Sequence, residues 1–207
     1  MPNWCNNDIR IYGNEGTIRA LTNVIKSSDG KLFQTLIGLP DNMSKSNYEL
    51  NWYDTNLNWF GTKWDVDVST DCFTFSEGEI CFFCETAWSP PIQFLENLCG
   101  MYKLNAYIFY SEGGVGFSGE TNLIWQDGEL SVVDTEYEYN KGLYLLSKEE
   151  FWGNMESNIE YAVEEDMSVD DFIGEYKAYV LEKDIQDIIT MFNEQKKEYD
   201  EQQFEVE

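Results

Sequence analysis

Apolar and polar residues alternate along several short segments of residues 1–140, and a period of two predicts β-strands. Gly- and Asp-containing breaks separate these segments. Two breaks have the composition of hairpin turns, Ser76 to Glu79 and Asp127-Gly128. The predicted strands are NNDIRIYG, KWDVDVST, CFTFSEG, EICFFCETAW, LNAYIFYSE, TNLIW and ELSVVD.

Two other segments show the helical spacing of three and four residues. Ile18, Leu21, Val24 and Ile25 have helical spacing in NEGTIRALTNVIKSSDG, and Thr17 is the candidate cap. SPPIQFLENLCGMY begins with prolines, which suit the first turn of a helix. KLFQTLIGLP is predicted only as a short apolar segment, and residues 41–58 as a long polar loop.

The elements follow the order β-α-(β)-β-β-α-β-β-β. A β-α-β-β-α-β core is the ferredoxin-like, split βαβ arrangement, in which two helices cover one face of a sheet. We therefore predict an α+β fold, with a ferredoxin-like domain over residues 1–140 that carries an extra β-hairpin.

Residues 141–207 differ in character and predict an acidic helical extension. They hold 19 acidic residues and 6 lysines, about twice the charge density of the preceding chain. Ser147 with Glu150 and Ser168 with Asp171 fit helix-capping boxes. A predicted apolar stripe consists of Phe172, Tyr176, Tyr179, Val180, Ile185, Ile188 and Ile189.

The charge of the whole chain narrows the choice of partners. Its 39 acidic residues against 13 basic ones give a formal net charge of −26. Nucleic acids and anionic membranes bind proteins through Lys and Arg, so such a chain is repelled by both. Two interpretations stay open: the acidity serves solubility, or it engages the basic groove of a nucleic-acid-handling protein.

The densest acidic segment is EYAVEEDMSVDDF. Its carboxylates would lie on helix ends and at the joint between helices, where they could compete with backbone phosphates for a groove lined by Lys and Arg. A solvated helix face is the alternative. The candidate partner-binding residues are Glu160, Glu164, Glu165, Asp166, Asp170 and Asp171.

Residues for catalysis or metal binding are sparse. The chain has no histidine, which removes the commonest general base. Cys81 and Cys84 of CFFC stand three apart in a predicted strand and would face opposite sides, so we interpret them as core thiols. Asp65 and Asp67 could hold a divalent metal or simply line an exposed strand.

Glu112 and Glu120 flank a Gly-rich loop, EGGVGFSG, and could approach each other. The loop lies between two strands rather than at a helix start, so a turn is a better interpretation than a phosphate site. We predict no catalytic residue, no bound metal and no cofactor, and we expect the protein not to be an enzyme.

The compartment is predicted from two further features. MPNWCNNDIR has neither a basic leader nor an apolar core, and no apolar run approaches the ~20 residues of a membrane span. Five cysteines without framework spacing fit a reducing compartment. We expect a cytoplasmic protein.

Four short motifs occur in a fixed order: MPNWCNN, WFGTKWD, TAWSPP and YSEGGVGFSG. This set resembles the Api92-like, or YubB-like, ferredoxin-domain proteins of bacteriophages, plasmids and bacteria, over roughly residues 1–125. The family's loop usually reads Glu-Pro-Gly where this chain has Gly113. The resemblance implies a ferredoxin-like fold and a mobile-element origin, with the host bacterial cytoplasm as the compartment, and no established reaction.

The resemblance also bears on the tryptophans. It implies that Trp4, Trp59, Trp64 and Trp88 belong to one recurrent scaffold, and a buried indole needs a hydrogen-bond partner. Lys63 could lay its stem on a ring. The alternative is an aromatic and loop surface that binds a ligand, formed by Trp59, Lys63, Trp64, Trp88 and Glu112.

Three functional hypotheses follow. The first, which we favour, is an inhibitor that blocks the basic groove of a host-defence protein such as a CRISPR effector or restriction enzyme, an anti-CRISPR or anti-restriction protein that mimics nucleic acid. The second is a small-ligand or nucleotide-sequestering protein that uses the aromatic surface. The third is an enzyme with a carboxylate-held metal.

Overall fold

The computed structural model describes residues 3–41, 43–67, 72–138, 144, 148–177 and 180–205. Contacts divide the chain into two compact units, Met1–Tyr137 and Glu138–Glu207, and each is described by itself. None of the helices among the described residues is long and apolar enough to cross a membrane.

The first unit is built on a six-stranded sheet. Its strands are β1 (Trp4–Tyr12), β2 (Phe73–Phe75), β3 (Glu79–Ala87), β4 (Asn105–Glu112), β5 (Phe117–Gln126) and β6 (Glu129–Glu138). The strand order is β2-β3-β1-β4-β5-β6. β1 pairs antiparallel with β3 on one side and with β4 on the other.

Four helices connect these strands. They are α1 (Glu15–Ser27), α2 (Leu32–Ile37), α3 (Lys45–Trp59) and α4 (Ile92–Tyr102). The first three lie between β1 and β2 in the chain, and α4 lies between β3 and β4.

The topology confirms the predicted fold class. β3 is antiparallel to both β1 and β2, so β1 and β2 run parallel with β3 between them. In the same way β3 and β4 run parallel on either side of β1. These are two split βαβ units, the defining feature of a ferredoxin-like α+β fold, and the β5–β6 hairpin extends the sheet beyond β4.

The core lies on one face of the sheet because side chains alternate along each strand. On β1, Cys5, Asn7, Ile9 and Ile11 are buried, whereas their neighbours are less so. Buried residues of α1, α2 and α4 belong to the same cluster. The Phe33 ring of α2 stacks on Phe94 of α4 with centroids 4.2 Å apart.

The prediction of a loop over residues 41–58 was wrong, because α3 occupies most of this segment. Ser44 caps the helix, its hydroxyl accepting a hydrogen bond from the Asn47 N–H at 3.2 Å. Asn51 has non-helical backbone angles, and Leu50 is 80% exposed. The helix has almost no apolar face, so periodicity could not reveal it. KLFQTLIGLP likewise contains a helix, α2.

Two local predictions are corrected. Asn14, and not Thr17, caps α1, since its side chain accepts hydrogen bonds from the N–H groups of Gly16 and Thr17. The predicted strand KWDVDVST forms only an isolated bridge between Lys31 and Asp67. Its residues 68–70 lie outside the described part of the chain.

Both predicted hairpin turns are confirmed. Asp127 and Gly128 have φ angles of 56° and 89°, and the left-handed backbone at both positions is what a tight two-residue hairpin requires. In the other turn the Ser76 N–H donates to the Glu79 carbonyl at 2.9 Å.

The second unit is helical, with α5 (Lys148–Glu164), α6 (Val169–Tyr176) and α7 (Glu182–Glu205). Ser168 caps α6 as predicted and accepts a hydrogen bond from the Asp171 N–H at 3.2 Å. Ser147, the capping residue of the other predicted box, and the stripe residue Tyr179 lie outside the described residues. The unit's own apolar cluster contains Met155, Ile159, Phe172, Ile188 and Phe192, all buried.

Asp65 was a candidate metal ligand, and the structure gives it another role. Its carboxylate accepts hydrogen bonds from the N–H groups of Phe33 and Gln34, both at 2.8 Å, and so caps α2 from a distant part of the chain. Asp67 forms an ion pair with Lys31 at 2.6 Å. No group of metal-ligating side chains occurs among the residues that the structure describes.

We predict that Asp65 makes stability pH-dependent. Burial raises the pKa of Asp65 to about 6, outweighing the two backbone donors, so the folded protein binds a proton here that the unfolded chain releases near pH 4. The difference in free energy of unfolding, wild type minus Asp65→Asn, should therefore decrease as the pH rises from about 4 to about 6. The expected decrease is on the order of 1 kcal/mol. Urea unfolding at several pH values measures it.

Asp67→Asn is the matched control, since this side chain is 82% exposed and an exposed ion pair contributes little. If the difference in free energy of unfolding between wild type and Asp65→Asn stays constant or grows over this pH range, the prediction is contradicted.

Candidate functional site

The register of β1 brings the four sequence motifs to one end of the sheet. Trp4 lies opposite Ala87 of β3, and Cys5 lies opposite Glu112 of β4. The N-terminal motif therefore touches the motif that follows β3 and the one that forms the β4–β5 turn.

WFGTKWD, the remaining motif, begins at the last residue of α3 and continues into the loop after it, which lies against the end of β3. The Thr62 hydroxyl donates to the Ala87 carbonyl at 3.0 Å, and the Ser89 hydroxyl donates to the Gly61 carbonyl at 2.7 Å. Thr62 is fully buried. Side-chain hydrogen bonds to backbone thus fix this loop against the end of β3.

Glu112 belongs to the interior of this end of the sheet and not to a binding surface. Its side chain is buried, and its two oxygens accept hydrogen bonds from the N–H groups of Gly114 at 2.6 Å and Val115 at 2.7 Å. A Cβ at Gly114 would collide with the Asn3 side chain. Glu112 therefore closes its own turn, and its assignment to a binding surface is corrected.

Glu112 and Glu120 do not approach each other. Glu112 shares the core face of β4 with Tyr110, whereas Glu120 lies opposite Phe109 on the other face. The Glu120 carboxylate accepts hydrogen bonds from the hydroxyls of Tyr107 at 2.8 Å and Tyr137 at 2.9 Å.

Three tryptophans and a lysine from these motifs form an exposed cluster, which we call the tryptophan–lysine surface (Trp4, Lys63, Trp64 and Trp88). The residues Trp4, Trp64 and Trp88 are 47%, 37% and 43% exposed. The Lys63 Nζ lies 4.5 Å from the Trp64 ring centroid and 4.6 Å from that of Trp88. The ring centroids of Trp4 and Trp64 are 6.0 Å apart.

Trp59 was predicted with this group, but the structure places it elsewhere. Its ring packs against the core, and its indole N–H donates to the Gly38 carbonyl at 3.1 Å. Trp59 therefore has the hydrogen-bond partner expected of a tryptophan that packs in the fold, whereas Trp4, Trp64 and Trp88 stay partly exposed.

Trp88 holds its ring out on a strained backbone. Its φ of 73° lies in the left-handed region, which costs a bulky residue on the order of 1–3 kcal/mol. The Trp88 N–H donates to the Asn3 carbonyl at 2.9 Å, and the Thr86 hydroxyl donates to the Ser89 carbonyl at 2.7 Å. Backbone strain of this kind persists only where the surrounding structure holds it, and it clusters at active sites and ligand-binding sites.

Two cavities flank Trp64. One of about 510 Å³ runs from Trp4 and Trp64 along β3, and carries the charged side chains Lys31, Asp65, Asp67 and Glu85 on its walls. The other, of about 490 Å³, is lined by Lys31, Gln34, Tyr48, Glu49, Trp52, Asn56, Trp64 and Asp65. Carboxylates outnumber ammonium groups in both.

The six acidic residues predicted to bind a partner lie in the second unit, at the joint between α5 and α6. We call them the acidic joint. All six are exposed: Glu160, Glu164, Glu165, Asp166, Asp170 and Asp171.

The backbone of the acidic joint is ordered by hydrogen bonds. Asp166 has a φ of 52°, its N–H donates to the Val163 carbonyl at 3.1 Å, and the Met167 N–H donates to the Ala162 carbonyl at 2.9 Å. This is a Schellman C-cap. The cap presents Glu164, Glu165 and Asp166 at a fixed helix end.

The position of these three acids is electrostatically unfavourable. The C-terminus of a helix carries partial negative charge, and α5 has no basic residue in its last turn. One described ion pair relieves them, between Asp166 and Lys196 at 3.3 Å, and Asp166 is 96% exposed. Asp170 and Asp171, by contrast, lie in the first turn of α6, where negative charge is stabilising.

The sequence missed two parts of the site. Trp4 was recognised within a motif but not assigned to the surface. Tyr53, whose ring centroid lies 5.9 Å from the Lys63 Nζ, fell within the predicted loop. The Trp in MPNWCNN was the available signal for Trp4, and the aromatic pair Trp52-Tyr53 just before WFGTKWD was the signal for Tyr53.

The two split βαβ units define the class: a ferredoxin-like α+β protein, here with an extra hairpin. Residues 47–153 match the family model described as the ferredoxin-like domain in Api92-like protein. The match covers just over half of the chain, so the chain belongs to this family. It includes Lys63, Trp64 and Trp88, and excludes Trp4 and the acidic joint. No curated protein and no solved structure matches the chain.

We predict that Trp88→Gly will be more stable than Trp88→Ala, by about 1 kcal/mol. Both remove the ring, but only Gly adopts a positive φ without strain. Thermal or urea unfolding of the two variants measures the difference. Trp52→Gly and Trp52→Ala, in the helix α3, should show the opposite order. An Ala variant at position 88 more stable than the Gly variant would show that the backbone there is unstrained.

Proposed function

We propose that this protein is an acidic inhibitor that binds a nucleic-acid-handling protein of host defence, of the CRISPR-effector or restriction-enzyme kind, and blocks its basic groove. The acidic joint supplies carboxylates in place of the phosphates that the groove would otherwise hold. The proposal assigns the protein no reaction of its own.

The observation that carries this proposal is the placement of Glu164, Glu165 and Asp166. Three consecutive carboxylates at the negative end of a helix dipole lower the stability of the unit that contains them. A solubility role could be met by acids at neutral positions on any exposed face. Acids held at an unfavourable position by an ordered cap are better explained by a partner that pairs with them.

The overall charge supports the same class of partner. A formal net charge of −26 repels nucleic acid and accelerates encounter with a basic protein. Such attraction weakens as salt screens it, over about 10 Å at 0.1 M. Binding should therefore be strong at low salt and reversible by moderate salt.

A second candidate function is sequestration of a small ligand such as a nucleotide. The tryptophan–lysine surface and the cavity of about 510 Å³ beside it favour this candidate, because a base can stack on an indole and Lys63 can meet a phosphate. The carboxylates of the cavity wall oppose it.

We predict that neutralising the acidic joint will release the partner. In the variant Glu160→Gln, Glu164→Gln, Glu165→Gln, Asp166→Asn, capture of a basic nucleic-acid-handling protein from bacterial lysate should fall at least about fivefold, because the paired carboxylates are lost. Mass spectrometry of the salt eluate, at low and moderate salt, measures capture.

The control neutralises four exposed acids of the first unit, Asp29, Glu77, Glu129 and Glu136. Both variants remove four negative charges from the same net charge of −26, so they differ only in where the charge is lost. If the acidic-joint variant and the control variant lose capture equally, overall charge and not the acidic joint explains the loss. Capture that survives in the joint variant would overturn the proposed site.

A further inference from the structure

The tryptophan–lysine surface already binds a cation in the free protein. The Lys63 ammonium lies 4.5 Å from the Trp64 centroid and 4.6 Å from the Trp88 centroid, so two indole faces contact one positive charge. Within about 6 Å of an indole such a contact is attractive. The rings therefore form a cation site by geometry, and Lys63 occupies it.

The surroundings of these rings favour positive charge. The adjoining cavity has three carboxylates, Asp65, Asp67 and Glu85, and one ammonium, Lys31, on its walls. Lys31 and Asp67 pair with each other at 2.6 Å, and the Asp65 carboxylate accepts two backbone hydrogen bonds, so the net negative charge of this wall comes from Asp65 and Glu85. This charge lies beside Trp4 and Trp64, where it attracts a cation and repels an anion.

The exposed positions of these rings are set by the backbone that carries them. Trp88 is held out by a left-handed backbone, and the Asn56 side-chain amide donates to the Lys63 carbonyl at 2.9 Å. The main chain at both residues is thus fixed, while the Lys63 side chain is a flexible stem that can swing away. Replacing Lys63 at the rings by another cation requires no change in the fold.

We propose that the tryptophan–lysine surface is a docking site for arginine side chains of a basic protein segment, which displace Lys63 from Trp64 and Trp88. A guanidinium suits the site better than a second ammonium, because it is planar, weakly hydrated and stacks on indole faces while pairing with a carboxylate. The natural source of that segment rests on the proposed function. The site itself is defined by the first unit alone.

The test titrates the full-length protein with a capped hexa-arginine peptide at about 0.15 M salt. The readout is the set of indole N–H resonances in ¹⁵N–¹H spectra, assigned by single Trp→Phe variants. The peptide should shift the resonances of Trp64 and Trp88 more than that of Trp125. Trp125 belongs to the same unit but lies at the other end of the sheet, where its backbone N–H donates to the Asn105 side chain at 2.7 Å.

The variants have opposite expected effects. Trp88→Gly should raise the Kd of the peptide about fivefold, the equivalent of one lost cation–π contact, and Trp125→Phe should leave it unchanged. Lys63→Ala should lower the Kd several-fold because it removes the internal competitor. Lys45→Ala, at an exposed position on α3, changes the net charge equally and should have a smaller effect.

Three outcomes would overturn the inference. If Lys63→Ala and Lys45→Ala act alike and Trp88→Gly has no effect, the peptide responds only to overall charge. If Lys63→Ala weakens peptide binding, Lys63 is not a competitor. If AMP shifts the same indoles and Lys63→Ala abolishes this, the surface is an anion site of the nucleotide-binding kind.

These outcomes are separable from failure of the proposed function. If the peptide titration gives the expected result but the acidic-joint variant still captures the partner from lysate, the arginine site is supported and the acidic joint is rejected as the partner-binding site. The reverse combination would retain the joint and reject the arginine site.

Discussion

The pairing of β1 with two strands at once is the constraint on which the first unit depends. β1 lies between β3 and β4, and its register sets Trp4 against Ala87 and Cys5 against Glu112. A shift of one residue would turn Ile9 and Ile11 out of the core and separate the motifs that meet at this end of the sheet. Core packing and the candidate site are therefore determined by the same ladder of hydrogen bonds.

Two features of the protein are unfavourable for stability and are better explained by binding. Trp88 keeps a bulky side chain on a left-handed backbone, and α5 ends in three acids that oppose its dipole. Each lies on an exposed surface, and each is held by backbone hydrogen bonds. Sequences that break local rules at ordered positions tend to do so where they bind or react.

The sequence predicted those parts of the fold in which local pattern and tertiary structure agree. Alternation identified the strands of both split βαβ units, and Asp127-Gly128 identified a hairpin whose left-handed backbone few other residues tolerate. Helix α3 could not be predicted, because it lacks an apolar face and Asn51 interrupts it. The role of Asp65 was equally hidden, since the helix it caps begins about thirty residues earlier in the chain.

The candidate site was predictable only in composition. Trp-rich motifs indicated an aromatic cluster, but only the structure separates Trp59, whose indole is bonded to Gly38, from the exposed Trp64 and Trp88. Glu112 looked accessible because it flanks a glycine-rich turn, and it is buried because that turn folds back onto its carboxylate. A long-range hydrogen bond decides the case of Trp59, and a local turn whose N–H groups point back at the carboxylate decides that of Glu112.

The central claim is that a basic partner binds this protein in the place of nucleic acid. An equilibrium competition assay tests it most directly, with the partner eluted by salt from the lysate experiment, its labelled nucleic acid and increasing amounts of this protein. The account predicts that nucleic acid is displaced in proportion to added protein and that displacement weakens as salt rises. A stable ternary complex, with protein and nucleic acid bound to the partner together, would contradict it.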